Sequence, residues 1–357
     1  MFTTIAATVI VLGILVFAHE FGHFLLAKLL KVRVQVFSLG FPPKLVGKKW
    51  GETEYRLSVL PLGGYVKLLG ENPNEEVPPG MEAYSFMHHP LWHRALIVLA
   101  GPAFNLLFAV LALFLIFSFT GIPYLTTEVG GVKGGSPGEL AGIRKGDVIL
   151  TVEGRPVSRW EELSRAIQNR GEKPLTLTVK RDGQVFPVSL TPKRMETTNL
   201  FGEKVSVVII GVSSSDRPQV EQVSIFRALK EGIVYTYRII GLTVQSIYKL
   251  IVRDIPVDTL GGPILIAQMA GKQAQAGVTY LVHFMAILSV NLALLNLLPI
   301  PILDGGHLIF ICFEALRGKP LPLKHREMAQ AMGLMIILAL MVLVFYQDIM
   351  RLLAPTP

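Results

Sequence analysis

The sequence has few charged residues: Asp, Glu, Lys and Arg make up 17% of its 357 residues, whereas ordinary soluble domains contain roughly 25%. Hydrophobic residues make up 51% of the chain. This balance argues against a purely soluble protein and indicates a membrane protein that carries a smaller soluble part.

Cysteine is nearly absent, since Cys312 is the single one. An internal disulfide and a thiolate metal site are therefore both excluded. The chain also lacks any block of basic residues interleaved with aromatic ones, so we expect no nucleic-acid partner despite the net charge of +8. We interpret the basic residues as signals of membrane topology.

The N-terminal apolar run lacks the basic residues that precede the apolar core of a signal peptide, because its first basic residue is Lys28. We interpret it as a retained membrane span. Spans need about 20 mostly apolar residues. Four segments meet this requirement: about 3–28, 95–120, 281–301 and 330–347.

Lysine and arginine follow the first and third spans and are scarce before the first and just after the second. The positive-inside rule then places both termini and 121–280 outside the cytosol, with 29–94 and 302–329 inside. Residues 225–253 contain a short apolar stretch interrupted by charges at helical spacing. This pattern favours an amphipathic helix on the membrane surface over a fifth span.

Two segments read as β-rich. Alternating apolar residues and a turn-rich centre predict a hairpin within 32–70. The stretch Gly135–Asp147 and the element order of 127–192 resemble a PDZ domain, and the alternative is an unrelated small α+β domain. The predicted fold is a polytopic α-helical membrane protein with four transmembrane helices, a membrane-associated β-hairpin and one inserted PDZ domain. Its predicted parts are membrane core 1–120, extracytoplasmic PDZ domain and linker 121–220, surface-helix region 221–280 and membrane core 281–357.

The motif His-Glu-Phe-Gly-His begins at His19, near the inner end of the first span. On a helix, His19 and His23 lie four residues apart and share a face, so both imidazoles can bind one zinc ion. Glu20 is placed to take a proton from water, whose pKa zinc lowers to roughly 7. The alternative is that these polar residues end the span at the interface and face water. Three such residues within a membrane helix are costly, which favours the catalytic interpretation.

A catalytic zinc site needs a third protein ligand. Asp304 follows the third span, and that span runs inward like the first, so Asp304 should reach the depth of the histidine pair. A turn aspartate is the alternative, because Asp-Gly favours turns. His307 is a rival ligand that we rank second, and we interpret it as a structural group or a partner of the ligands.

Three further residues bear on this site. Pro299 and Pro301 cannot continue a regular helix and should open the third span before Asp304. The amide of Asn296 could orient a substrate backbone, or it could make a hydrogen bond between helices. For Asn105, in Gly-Pro-Ala-Phe-Asn of the second span, we favour a packing role.

The motifs HEFGH, GGYVK (63–67), GPAFN, the PDZ-like stretch, GGP (261–263) and NLLPIPILDGGH occur in this order. Together they closely resemble the site-2 protease family of intramembrane zinc metalloproteases over essentially the whole chain. Within the family the chain looks like the bacterial regulator of sigma-E protease type. It departs from that type in one respect, because 121–220 has room for a single PDZ domain where the best-known members carry two. The resemblance therefore does not extend to substrate filtering that needs a tandem pair.

The resemblance implies zinc bound by His19, His23 and Asp304, Glu20 as the catalytic carboxylate, and Asn296 in contact with substrate. It implies a multi-pass protein of the bacterial inner membrane that cleaves single-span membrane proteins, such as anti-sigma factors or remnant signal peptides, in regulated intramembrane proteolysis. Two other functions compete with this one. An inactive PDZ adaptor with a structural metal site would keep its function without Glu20, and a metal transporter would need polar groups through several spans.

Overall fold

Long apolar helices dominate the computed structural model, which describes residues 2–72, 75–199, 203–255 and 261–353. Its α-helices are α1 (Phe2–Leu29), α2 (Leu91–Thr120), α3 (Pro137–Leu140), α4 (Trp160–Arg170), α5 (Ile225–Ile251), α6 (Pro263–Ala276), α7 (Val278–Asn296), α8 (Asp304–Arg317) and α9 (Leu323–Leu353). Its strands are β1 (Val34–Trp50), β2 (Thr53–Leu68), β3 (Ile122–Tyr124), β4 (Val129–Val132), β5 (Val148–Val152), β6 (Arg155–Pro156), β7 (Leu175–Arg181), β8 (Gln184–Leu190), β9 (Lys193–Thr198), β10 (Lys204–Ile209), β11 (Val212–Ser214) and β12 (Gln219–Glu221).

Four of these helices, α1, α2, α7 and α9, are long and apolar enough to cross a membrane, in agreement with the four predicted spans. The third is shorter than expected, because α7 ends at Asn296 rather than near 301. Pro299 and Pro301 explain the early end, since proline lacks the N–H of a helical hydrogen bond and disfavours helical backbone before it. The chain turns and becomes helical again at Asp304, the first residue of α8.

The described residues form two compact units, and the larger consists of Met1–Ile116 with Leu229–Pro357. Helix α1 packs against α6 and α7, and Val11 and Leu15 are buried beside Ala270 and Met285. Gly271 of α6 makes this approach possible, because a Cβ at this position would overlap the side chain of Thr4. Small residues at such contacts are typical of helices that pack inside membranes.

Strands β1 and β2 form one long hairpin that folds back on itself. Residues 36–39 pair with 64–67 in antiparallel register, and they also pair with 54–57, with both residue numbers rising together. The tip of the hairpin thereby returns to its base, where the hydroxyl of Thr53 donates a hydrogen bond to Val34 O at 2.8 Å. Gly40 lies at the bend with φ of +93°, a backbone conformation that favours glycine.

Helix α5 falls outside the four candidate spans. Two polar contacts join it to α7: the hydroxyl of Thr243 donates to Asn291 Oδ1 at 2.7 Å, and the hydroxyl of Tyr235 lies 3.2 Å from His283 Nε2. The two contacts are eight residues apart on each helix, so α5 and α7 run side by side in the same direction over about two turns. The placement of α5 on the membrane surface stays a prediction.

The smaller unit, Phe117–Ala228, contains a four-stranded sheet in the order β6-β5-β7-β8. Leu163 and Ile167 of α4 pack on a core that includes Ile149 and Leu177. A turn at Asp182-Gly183 joins β7 to β8, and both residues have positive φ, as a two-residue type I′ hairpin turn requires. Helix α4 and the sheet thus form a small α+β core, and its classification as a PDZ domain stays a prediction.

Candidate metal centre

The two histidines of the HExxH motif project from one face of α1 because four residues make about one helical turn. His19 Nε2 and His23 Nε2 lie 3.3 Å apart. His19 is only 8% exposed, although its imidazole is polar and lies in an apolar helix. The two nitrogens therefore point to one small volume within the protein.

Asp304 enters the same volume from the first turn of α8. Its Oδ2 lies 3.2 Å from His19 Nε2, and its Oδ1 lies 3.6 Å from His23 Nε2. Gly305 and Gly306 allow α8 to begin this close to the end of α7. A Cβ at either position would overlap backbone carbonyl groups between Leu297 and Pro301.

The geometry of these three side chains fits zinc. A tetrahedral ion with ligands at roughly 2.0–2.1 Å separates neighbouring ligand atoms by about 3.3–3.4 Å, and the two Nε2 atoms lie 3.3 Å apart. Asp304 brings Oδ2 to 3.2 Å from one of them and Oδ1 to 3.6 Å from the other, and one potential ligand atom from each residue lies within 4.8 Å of the others. Asp304 Oδ2 is buried and makes no hydrogen bond, although it lies beside an imidazole nitrogen. The carboxylate thus approaches both imidazoles without a hydrogen bond to either, as a ligand of a shared ion does. Among the residues that the structure describes, this is the one cluster of three potential ligands.

A backbone carbonyl of helix α2 contacts His23 on the side of its ring opposite the cluster. His23 Nδ1 lies 2.8 Å from Ile97 O, and this leaves Nε2 free to face the cluster. The helical hydrogen bond next to this carbonyl is missing, because Pro102 has no N–H to donate to Val98 O. A backbone carbonyl is a common partner for the second nitrogen of a metal-binding histidine.

Two amides surround His19. Asn105 is fully buried, and its Nδ2 lies 3.2 Å from His19 Nδ1. Asn296, the last residue of α7, places its Nδ2 3.5 Å from Nδ1 and 3.4 Å from Nε2 of the same ring. The packing role expected for Asn105 is therefore incomplete, since its amide touches the histidine directly. The sequence contained a signal for this contact. Asn105 is a polar residue in an apolar span, and it lies four positions after Gly101 and therefore on the same face of the helix.

Glu20 lies beside the cluster and against β2. The backbone N–H of Val66 faces its carboxylate, and Gly64 packs so closely that a Cβ there would lie 3.0 Å from Glu20 Cγ. Because Val66 N–H points toward Glu20, the side of 64–67 turned away from β1 faces the cluster. This side is not paired with another strand within the described part of the chain.

A cavity of 730 Å³ opens onto these groups, and His19, Glu20, His23, Asn296 and Asp304 all line it. His307, the rival ligand, lines the cavity one turn after Asp304, outside the three-residue cluster. Glu71, which belongs to no motif in the sequence, also lines the cavity and accepts a hydrogen bond from Leu68 N at 3.3 Å. Burial raises the pKa of the Glu71 carboxyl, which favours its protonated form.

The family model and the relatives that match this chain all describe peptidases. The model of peptidase family M50 matches residues 7–340. A protein of Agrobacterium fabrum named "Putative zinc metalloprotease" is 36% identical over 360 residues, covering 97% of this chain and 95% of the relative. One from Campylobacter jejuni, named in the same way, is 36% identical over 352 residues, with 97% and 93% covered. One from Vibrio cholerae is 31% identical over 448 positions, with 97% and 98% covered, so that relative carries insertions.

Among solved structures, a PDZ domain from Listeria monocytogenes is 17% identical, with a TM-score of 0.21, and covers 28% of this chain and 90% of its own. The family assignment depends on the other matches, which extend over nearly the whole chain and include both the HExxH segment and the Asp304 segment. The chain therefore belongs to peptidase family M50 and is a zinc metalloprotease with several membrane helices.

Proposed function

We propose that this protease cleaves peptide bonds of single-span membrane proteins, with His19, His23 and Asp304 as the zinc ligands and Glu20 as the catalytic carboxylate. The convergence of two imidazoles and one carboxylate at 3.2–3.6 Å carries this proposal. Three protein ligands leave one tetrahedral position for the reaction, as in catalytic rather than structural zinc sites.

The zinc ion and the residues of the chain would have separate roles in catalysis. Bound zinc would lower the pKa of water and polarise the scissile carbonyl. Glu20 would take the proton from the attacking water and pass it to the leaving amine, the role of a general base and then a general acid. The Val66 N–H would hold the Glu20 carboxylate in place during both transfers.

The substrate must reach this site as an extended strand, because a helical peptide bond is already hydrogen-bonded and shielded. The free edge of 64–67 lies beside Glu20. A strand added to this edge would obtain its backbone hydrogen bonds from β2 rather than from water. Inside a membrane such pairing is needed, since unpaired backbone groups there are costly.

Asn296 would contact the substrate backbone beside the cluster. Its amide lines the cavity and lies against His19, so it can present a polar group to a peptide that enters there. A substitution that leaves zinc binding intact and raises the Michaelis constant would support this role.

The substrates would be anti-sigma factors or remnant signal peptides in regulated intramembrane proteolysis. The site would lie near the cytosolic face of the bacterial inner membrane, with both termini and the PDZ domain outside. The PDZ domain would restrict the access of bulky extracytoplasmic substrate domains. Size selection that persists after deletion of 127–192 would contradict that last role.

The decisive experiment combines metal analysis with cleavage of a model single-span substrate by the purified full-length chain in liposomes. Wild type and Glu20→Gln should each hold one zinc ion, whereas Asp304→Asn should hold little. Only wild type should cleave, and Glu20→Gln should lose about 10²–10⁴-fold in rate, the range for general acid–base groups. Cleavage by Glu20→Gln at the wild-type rate would contradict the catalytic role of Glu20.

A further inference from the structure

One face of α2 carries three groups that contact the two histidines at intervals of four residues. These groups are the carbonyl of Ile97, the backbone of Gly101, which carries no Cβ, and the side-chain amide of Asn105. Residues four apart stack above one another on a helix, so a single surface of α2 lies against both imidazoles.

His19 needs a hydrogen-bond acceptor that the rest of the cluster does not provide. Its Nε2 faces Asp304 Oδ2 at 3.2 Å. A neutral imidazole that binds a metal through Nε2 carries its proton on Nδ1. The nearest amide to that nitrogen belongs to Asn105, at 3.2 Å.

The Asn105 amide has an unused acceptor. Its Oδ1 is buried and makes no hydrogen bond, while Nδ2 faces His19. The two ends of a side-chain amide have nearly the same shape, so a half-turn exchanges them without moving neighbouring atoms. The exchange would give the buried oxygen a donor and the Nδ1–H of His19 an acceptor at the same time.

Asn105 is better placed for this role than Asn296. The Asn296 amide is nearly equidistant from both nitrogens of His19, at 3.5 and 3.4 Å, so it is not aligned with Nδ1 alone. The backbone of Asn105 is also anchored, because its carbonyl accepts a hydrogen bond from the Ser289 hydroxyl at 2.8 Å. This contact ties α2 to α7 and fixes the reach of the amide.

Gly101 lies between Ile97 and Asn105 on this face of α2 and leaves room for both imidazoles. A Cβ at this position would overlap the imidazoles of both His19 and His23. Any larger side chain would push the two rings out of the geometry in which their Nε2 atoms lie 3.3 Å apart.

We infer that the α2 face formed by Ile97, Gly101 and Asn105 sets the tautomer and orientation of both zinc-binding histidines, with Asn105 Oδ1 accepting the proton of His19 Nδ1. This inference rests on the ligand assignment proposed above. Asn105 and Gly101 are positioning residues, so they act on the affinity for zinc even in the absence of substrate.

The first test measures the zinc affinity of the full-length protein in detergent by competition with a chelator. Asn105→Leu keeps the approximate volume and removes the acceptor, and it should weaken zinc binding about 10–100-fold. Asn105→Asp keeps an acceptor and should stay within about 10-fold of wild type. Asn291→Leu, which removes an amide that bonds to Thr243 instead, is the matched control and should bind zinc like wild type.

A second pair of variants tests whether the imidazoles need the room that Gly101 leaves. Gly101→Ala should weaken zinc binding at least as much as Asn105→Leu, because its Cβ would overlap both rings. Gly13→Ala on α1 is the control, since a Cβ there meets no atom within 4 Å.

Wild-type affinity in Asn105→Leu, or equal losses in the Leu and Asp variants, would overturn the inference. If Asn105→Leu does not fold, ¹⁵N NMR of the histidine-labelled wild type with zinc decides: Nδ1 of His19 should be protonated and its proton should be held in a hydrogen bond. A zinc-bound Nδ1, or an Nδ1 proton without a hydrogen bond, would overturn the inference. His23→Ala and Asp304→Asn separate the two proposals. If these two variants bind zinc like wild type, the ligand assignment fails, whereas wild-type binding by the Asn105 variants alone refutes only the role of α2.

Discussion

Two aspartates, one in each unit, have opposite surroundings. Asp147 in the smaller unit is 1% exposed, and both of its oxygens are bonded: Oδ1 accepts from Arg181 Nε at 2.6 Å, and Oδ2 accepts from Arg181 Nη2 at 2.7 Å and from Arg144 N at 2.8 Å. Asp304 in the larger unit has a buried Oδ2 that makes no hydrogen bond.

This difference is the one expected between a group that maintains the fold and a group that binds a ligand. A buried polar atom without a partner costs about 1–3 kcal/mol, so a structure tolerates it where a ligand restores the loss. Asp147 completes its own hydrogen bonds and needs nothing further. Under the ligand assignment proposed above, Asp304 Oδ2 would gain its partner from a bound ion.

The largest contrast should appear when each aspartate is replaced by asparagine. Asp304→Asn removes the charge of a proposed ligand and should lower the affinity for zinc by more than about 100-fold, the upper end of what a partner of a ligand costs. Asp147→Asn should leave that affinity unchanged. Chelator competition on both purified variants checks this, and equal zinc affinities in the two variants would remove the functional distinction between the two sites.

Zinc itself should stabilise one unit and leave the other unchanged. At a free zinc concentration 100 times the dissociation constant, binding stabilises the state that holds the ion by about 2.7 kcal/mol. Hydrogen exchange should therefore slow around His19, His23 and Asp304, and 127–192 should exchange at the same rate with and without zinc. Slower exchange throughout 127–192 would show that the two units respond together.

Much of this arrangement could be predicted from sequence, because the signals are local. Twenty apolar residues suffice to indicate a span, and the HExxH spacing places two imidazoles on one helix face. The positive-inside rule gives the first and third spans the same direction, which predicts that Asp304 lies at the depth of the histidines. The end of the third span was predicted about five residues too late, because the apolar pattern continues to 301 while the two prolines already prevent a helix.

The features that sequence reasoning missed depend on contacts between distant segments. Alternating residues in 32–70 predict strands, but they cannot show that 36–39 pairs with both 54–57 and 64–67. Asn105 looks like a packing residue within its own helix, because its partner His19 belongs to another helix 86 positions earlier. Periodicity shows which face of its own helix or strand a residue occupies. Only the folded structure shows which other segment packs against that face.

Replacing Asp147 should destabilise the smaller unit by about 2 kcal/mol, the usual range for hydrogen bonds to charged groups. Asp147→Ala leaves Arg181 and the backbone N–H of Arg144 without their acceptor. Hydrogen exchange of 127–192 in the full-length protein should then speed up by about 30-fold, the factor that corresponds to 2 kcal/mol. Unchanged exchange would show that this ion pair does not contribute to the stability of the unit.

The smallest effect should be a pH dependence confined to the smaller unit. Burial alone would raise the pKa of Asp147, but the hydrogen bonds from Arg181 and from Arg144 N outweigh it and hold that pKa below its ordinary value. The charged form is thus favoured in the folded state, so its contribution is complete above the unfolded pKa of about 3.9 and is lost as the pH falls below it. Hydrogen exchange of 127–192 should speed up, relative to the intrinsic rate, between about pH 4 and pH 3. The same measurement on Asp147→Asn should show a smaller change over this interval, and an identical change would assign the acid sensitivity to other carboxylates.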